Sequence, residues 1–445
     1  MSVQTEQHPG PGPRAARLAG TLLLAMILLS IANGLFPQFP PLYAGIAAWL
    51  AGLILLPAIK RQARLQFLVM FSVGAAALSW ATASGRPMDW GPVLTSNQAL
   101  LAMLAAVSFL RLIALPAAES GALHAETTPR GPSALTSTLL GVHLFGSVIN
   151  LSALTIMGDR LSAHRPLTPT QAQVLSRGFS MAASWSPFFA AMGLTLTNAP
   201  GSQLAVLVLL GLPVAALALC YTAIELGRRP EAAGFEGYPI HFGALWIPAS
   251  LALSVMLAHQ LWPQVPILTL VALLSVATTL VVLLLREWRS GLRQFIAFVM
   301  IRLGGMSNEL ALFLAAGVLA SGIGAAVAAS GLNLGVFQFG FPQAAGLLVI
   351  MIALSALGIH PVICISTAGG LLAPLHPDPN LLGMVFLMTW ALGITLSPIS
   401  GTNMTIQGRY GIDAHRFLRW HARFALFVLA VDLATLFAYT QYASD

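Results

Sequence analysis

The sequence predicts an all-α polytopic membrane protein of about eleven transmembrane helices, with two re-entrant hairpins set in inverted repeats. Three observations carry that reading: the composition, the interruptions in two apolar runs, and a short motif that recurs at a fixed shift. Of 445 residues, 57% are hydrophobic and only 8% are charged, with a mean hydropathy of +0.82. A soluble domain carries about 25% charged residues, so this chain cannot cover an aqueous surface of its size. The same arithmetic excludes a nucleic-acid partner.

A bilayer core needs about 20 apolar residues per helix. Spans of that kind fall near 18–36, 41–59, 66–84, 97–115, 176–198, 203–225, 242–260, 265–285, 307–330, 381–405 and 420–441. The first has the length of a retained helix rather than a cleaved leader. Two more apolar stretches, 134–162 and 341–375, are too long for one span and are interrupted midway. Gly146-Ser147 with Asn150 breaks the first, and Gly358-Ile359-His360-Pro361 breaks the second. Paired interruptions at corresponding places in two halves point to re-entrant hairpins.

Charge placement favours the hairpins over full spans. Lysine and arginine collect on the cytoplasmic side of a membrane protein. With an inside N-terminus and two hairpins that do not cross, 20 of the 21 basic residues fall at or near the cytoplasmic face, leaving Arg86 outside. Arg177 is among the 20. Making both stretches full spans turns the basic loops near 228 and 286 outward. The hairpin arrangement also accounts for the net charge of +7.

The repeat is the most specific signal. Ser96-Asn97-Gln98 recurs as Ser307-Asn308-Glu309, and Ser186-Pro187 as Ser397-Pro398, each shifted by 211 positions (307 − 96 and 397 − 186). Five crossings separate residues 96 and 307, an odd number, so the copies are inverted. The organisation is an N-terminal tail and first helix over 1–40, repeat 1 over 41–230 with hairpin 134–162, and repeat 2 over 231–445 with hairpin 341–375. Inverted repeats place solute and ion sites where discontinuous helices meet near the midplane.

With eleven spans, opposed hairpins and inverted five-span repeats, the chain resembles the ion transporter superfamily, which includes the divalent-anion:sodium symporters and the arsenite-pump and sodium/proton-antiporter relatives. Leu357-Gly358-Ile359-His360-Pro361 and Ser397-Pro398-Ile399-Ser400-Gly401-Thr402-Asn403 carry the likeness. The symporters' Ser-Asn-Thr signature is at neither hairpin tip, so neither a dicarboxylate nor sodium is specified. The resemblance implies a secondary active transporter, or permease, for a small anionic solute such as a carboxylate or oxyanion, coupled to sodium or protons by elevator-like alternating access. It implies no catalytic residues and no cofactor beyond the coupling ion. It further implies a homodimer in the plasma (inner) membrane of a bacterium; the count of crossings from an inside N-terminus puts the C-terminus outside. Residues 41–115 and 242–330 would form a scaffold, and the hairpins with their following spans the mobile part.

Helix breaks free backbone carbonyls for cations, while helix N-termini suit anions. Pro187 and Pro398 each leave a carbonyl one turn earlier without its N–H partner. On this basis the expected solute-binding residues are Ser147, Asn150, Ser184, Ser186, His360, Ser397, Ser400, Thr402 and Asn403. The expected cation-binding residues are Ser152, Ser180, Thr367 and Gly401. For Asn150 and Asn403, contact with solute would make substitution costly to transport and nearly neutral to stability. Among ionisable residues at depth, His143, His360, Glu309 and Asp432 are functional candidates by default, with Arg423 a partner open to Asp432.

Two other classes compete. A membrane subunit of a multi-component solute importer would be encoded beside its partner proteins. A membrane-embedded transferase would need a catalytic constellation facing water, whereas the longest hydrophilic stretch, about 116–133, has no catalytic spacing. The expectation is therefore not an enzyme. Cys220 and Cys364 both sit in apolar runs, and no Cys/His spacing suits a metal.

Overall fold

A computed structural model of the chain describes residues 11–114, 129–238, 246–331 and 338–442. Most of the hydrophilic stretch near 116–133 and the start of the expected span 242–260 lie outside the described residues. Among the described residues the secondary structure is helical apart from one isolated bridge between Arg130 and Glu236.

The first helices are α1 (Pro13–Leu35), α2 (Leu42–Leu55), α3 (Arg61–Ala83), α4 (Trp90–Thr95), α5 (Gln98–Ser108) and α6 (Arg111–Ala114). Then come α7 (Pro132–Ile149), α8 (Leu151–Leu161), α9 (Pro169–Met181), α10 (Ala190–Asn198) and α11 (Leu204–Gly227). The second half holds α12 (Trp246–Leu261), α13 (Ile267–Arg286), α14 (Trp288–Ala297), α15 (Ser307–Ala329), α16 (Phe341–Ala356) and α17 (Pro361–Leu372). It closes with α18 (Pro379–Leu396), α19 (Gly401–Tyr410) and α20 (His415–Tyr442).

Among the described residues, nine helical segments are long and apolar enough to cross a membrane, which makes the chain a helical membrane protein in composition and length. They match the expected spans unevenly. The expected span 176–198 is broken: α9 ends at Met181, a 3-10 turn covers Ala182–Ser184, and α10 starts only at Ala190. Pro187, which lacks an amide hydrogen, lies in the non-helical stretch between them. Conversely α7, the first arm of the expected hairpin 134–162, is itself 18 residues long and apolar enough to span. The arms of 341–375 are shorter, at Phe341–Ala356 and Pro361–Leu375.

The chain divides into two compact units. The first comprises Met1–Leu115, Leu251–Val336 and Ser366–Leu375; the second comprises Pro116–Ser250, Phe337–Ile365 and His376–Asp445. Each unit draws on both repeats, so repeats and units are different divisions of the chain. Of the expected scaffold, 41–115 and 251–330 fall in the first unit and 242–250 in the second; Ser366–Leu375 of the second expected hairpin, grouped with the mobile part, also falls in the first.

In the first unit, glycine permits close backbone approach, the packing device of membrane helices. A Cβ at Gly322 of α15 would lie 2.3 Å from the Gly74 carbonyl oxygen of α3, and one at Gly74 would lie 2.6 Å from that of Val318. The repeat motifs sit here as reciprocal ties. Asn97, left-handed at φ 62°, donates its Nδ2 to the Phe313 carbonyl at 2.9 Å, and Asn308 Oδ1 accepts from the Lys60 N–H at 3.0 Å. Each copy's asparagine thus bonds to a segment of the other repeat.

In the second unit, local sequence sets the helix starts. Thr168 and Gln171 form a reciprocal capping box ahead of Pro169, and Asp378 accepts from the Leu381 N–H ahead of α18. Close approach recurs where a Cβ at Gly178 of α9 would lie 2.4 Å from Val142 Cγ1 of α7. Twenty-eight residues long, α20 packs on α9, α11, α16 and α18 through a buried stripe of Phe417, His421, Phe424, Ala425, Val428, Asp432 and Leu436.

Candidate functional site at the helix breaks

Twelve of the thirteen residues expected at the site fall in the second unit; Thr367, half-buried in α17, belongs to the first. The tip of the first interrupted stretch is the single residue Asn150, at φ 51°, where α7 ends and α8 begins. With ψ at −141° it lies outside the left-handed helical basin that asparagine tolerates, so the turn is held by its surroundings. The tip is fastened to the break after α9. Asn150 Nδ2 donates to the Phe188 carbonyl at 3.1 Å, and the Ser186 hydroxyl donates to the Ser147 carbonyl. Ser186 Oγ in turn accepts from the Phe188 N–H at 3.2 Å. Nearby, the Ser147 hydroxyl bonds back to the Leu144 carbonyl and Ser184 to that of Met181. Ser152 lies half-buried in the first turn of α8.

The second break is organised by Asn403. Pro398 cannot donate to the Ile394 carbonyl; instead Asn403 Nδ2 lies 3.3 Å from that oxygen and 3.0 Å from the carbonyls of Thr395 and Ser397. Asn403 Oδ1 accepts from the Ser176 hydroxyl of α9 at 3.0 Å. Ser400 caps α19 by accepting from the Asn403 N–H. Gly401 opens α19 on an exposed side, and Thr402 is buried behind it. His421 donates from Nδ1 to the Thr395 carbonyl at 3.1 Å. The carbonyls expected to be free at this break are therefore occupied by the chain's own amide and imidazole. Asn403 has both ends of its side chain engaged.

His360 and His143 have structural partners. His360 is buried at the tip between α16 and α17; its Nδ1 accepts from the Val362 N–H at 3.2 Å, and its ring meets Trp390 edge to face. His143 Nδ1 donates to the Gly178 carbonyl at 3.0 Å, while Nε2 accepts from the Trp185 indole at 3.1 Å. Those two bonds fix one neutral tautomer. Glu309 lies exposed in the first turn of α15, in the other unit.

Several buried polar atoms have no partner among the described residues, including Ser180 Oγ, Thr195 Oγ1, Ser397 Oγ, His421 Nε2 and both carboxylate oxygens of Asp432. Of the expected residues, Ser180 and Ser397 thus offer unused hydroxyls, on α9 and at the end of α18, which pack together. Buried hydroxyls are ordinarily satisfied, so each of the two is open to a further partner. A separate cavity of about 480 Å³ in this unit is lined by Arg165, Gln171, Gln173, Arg229, Glu236 and Trp420 with their neighbours. None of the thirteen expected residues lines it.

Arg177 was placed at the interface by the charge rule, but its side chain is wholly shielded, 0% exposed. It donates to Glu225 at 2.6 Å and to the Trp420 carbonyl at 3.0 Å, and it lies over the Phe424 ring at 4.6 Å. Asp159 of α8 and Arg409 of α19 form a two-pronged pair at 2.5 Å, and Tyr410 donates to Asp159 at 3.0 Å. The sequence signal for these ties was weak. Arg177 and Glu225 are 48 positions apart, and Asp159 and Arg409 are 250 apart.

Comparison of the chain with protein-family models and with curated proteins finds no match. The functional reading rests on the arrangement itself.

Proposed function

We propose that the chain is a secondary active transporter of a small anionic solute, coupled to an ion gradient. One observation carries the reading: the two Ser-Pro breaks, 211 positions apart, lie in the interior of one compact unit. The Ser176–Asn403 bond joins the helices that bear them. Interrupted helices at membrane depth are tolerated where they are buried in protein or line a path for polar cargo. The unused hydroxyls of Ser180 and Ser397 support the reading as groups that solute or ion would meet.

In this reading the stretches 134–162 and 341–375 are re-entrant, the N-terminus is cytoplasmic and the C-terminus is outside. The hairpins with their following spans form the mobile part, within a homodimer. Charge placement supports the orientation.

The test is solute uptake by the full chain in proteoliposomes, screened against carboxylates and inorganic oxyanions under imposed sodium and proton gradients. Concentrative uptake that collapses with one gradient is the expected result. No accumulation of any solute above protein-free liposomes overturns the reading.

A further inference from the structure

Asp432 lies midway along α20 with 1% of its surface exposed and no partner for either carboxylate oxygen among the described residues. Arg423, open to it from the sequence, is exposed and nine residues away, about 13 Å along the helix. The register of the surrounding helices defines what Asp432 meets. His421 bonds at Thr395 and Tyr439 at Asp378, so α18 runs antiparallel to α20 and presents about 382–388 at the level of Asp432. Tyr221 stacks on Phe427 at 4.5 Å, which brings about 212–218 of α11 to that level. Phe341 meets Phe437 at 5.3 Å, which brings about 344–348 of α16 there. Every residue in those three windows is apolar.

The charged and titratable groups on the packing elements lie toward the two ends. Arg177 of α9, Tyr221 and Glu225 of α11 and His421 of α20 sit toward one. Asp378 and Tyr439 sit toward the other. His421 is 11 residues from Asp432 and Tyr439 is seven, about 16 Å and about 10 Å by helical rise.

An ionised carboxylate without a counter-charge is strongly disfavoured in such surroundings. A sodium ion needs several oxygen ligands, and none of these windows carries a side-chain oxygen. We propose that Asp432 is a proton-binding site, occupied in this conformation and emptied when the unit rearranges. The step is balanced with water as carrier: the carboxylate takes a proton from hydronium to give the acid and water, and the reverse returns it. A leucine would pack here without any unpaired group, so the acid at this layer has a use beyond packing. Coupling that proton to solute movement rests on the transport reading above; proton binding itself does not.

The experiment compares wild type with Asp432→Asn and Asp432→Glu, full-length and reconstituted in liposomes without solute. Infrared difference spectra at neutral pH should show a protonated-acid carbonyl band in wild type that Asp432→Asn lacks. Charge displacement after a pH jump should fall at least tenfold in Asp432→Asn. Spectra identical with and without the carboxyl overturn the proposal. If Asp432→Asn fails to fold, a band that moves in Asp432→Glu supports the proposal and one that stays overturns it. Should the solute panel yield no uptake while the band behaves as expected, the transport reading fails and proton binding stands. Should solute accumulate in a proton gradient as well with Asp432→Asn as with wild type, and the band be missing, the proton site fails and transport stands.

Discussion

The Arg177 guanidinium donates to the Glu225 carboxylate at 2.6 Å while its own side chain is completely shielded, so a full positive charge is held inside the second unit by one partly exposed acid. Glu225 is shared with Arg229 at 2.5 Å, which makes the trio a network and not an isolated pair. Breaking a buried pair from one side leaves an uncompensated charge, a loss of about 3–5 kcal/mol. Arg177→Met and Glu225→Met alone are therefore each expected to lower the melting temperature sharply. The double variant Arg177→Met/Glu225→Met should recover most of that loss. Thermal unfolding in detergent of the four corners of the cycle checks this.

Asn403→Ala is expected to destabilise the protein by about 1–3 kcal/mol, from loss of the amide that serves the carbonyls at the Pro398 break. Near-neutral stability was the expectation from sequence, and the hydrogen bonds reverse it. Asn150→Ala, with one bond to Phe188, should cost less. Melting temperatures of the two variants side by side decide the order.

Gly322→Ala is expected to disrupt the contact of α3 with α15, because the added Cβ meets a backbone oxygen at 2.3 Å that no rotamer change can clear. Overpacking of this kind costs about 1–3 kcal/mol. Gly346→Ala, where a Cβ meets nothing within 4 Å, is the control and should melt as wild type does.

Topology can be tested with single cysteines in a background lacking Cys220 and Cys364. Ala233 and His376 are both exposed, and the two-hairpin arrangement puts them on opposite sides of the membrane. Ala233→Cys and His376→Cys should react with an impermeant thiol reagent from different faces. Labelling from the same face contradicts the arrangement.

The breaks were legible because proline and positive φ act locally: Pro398 follows the end of α18, and Asn150 and Gly358 turn the chain at positive φ, although α11 carries Pro213 without a break. The span assigned to 176–198 is divided around Pro187, where a break was expected. What fills a break was not legible. The partner of Asn403 is Ser176, 227 positions earlier, and no periodicity announces such a bond. Arg177 was hidden by a rule that explained it too readily: a basic residue near a helix end satisfies the charge bias whether it faces water or a buried acid.

The reciprocal ties of Asn97 and Asn308 bear on how the protein is made. Asn97 meets Phe313 only after 216 further residues have been polymerised. At about 5–20 residues per second that interval is on the order of 10–40 s. During it the nascent first repeat sits in the bilayer with that amide lacking its final acceptor. The early helices of the first unit must therefore be held by lipid, by the insertion machinery or by provisional contacts until α15 arrives. A ribosome stalled before residue 313 would leave them without their native seam.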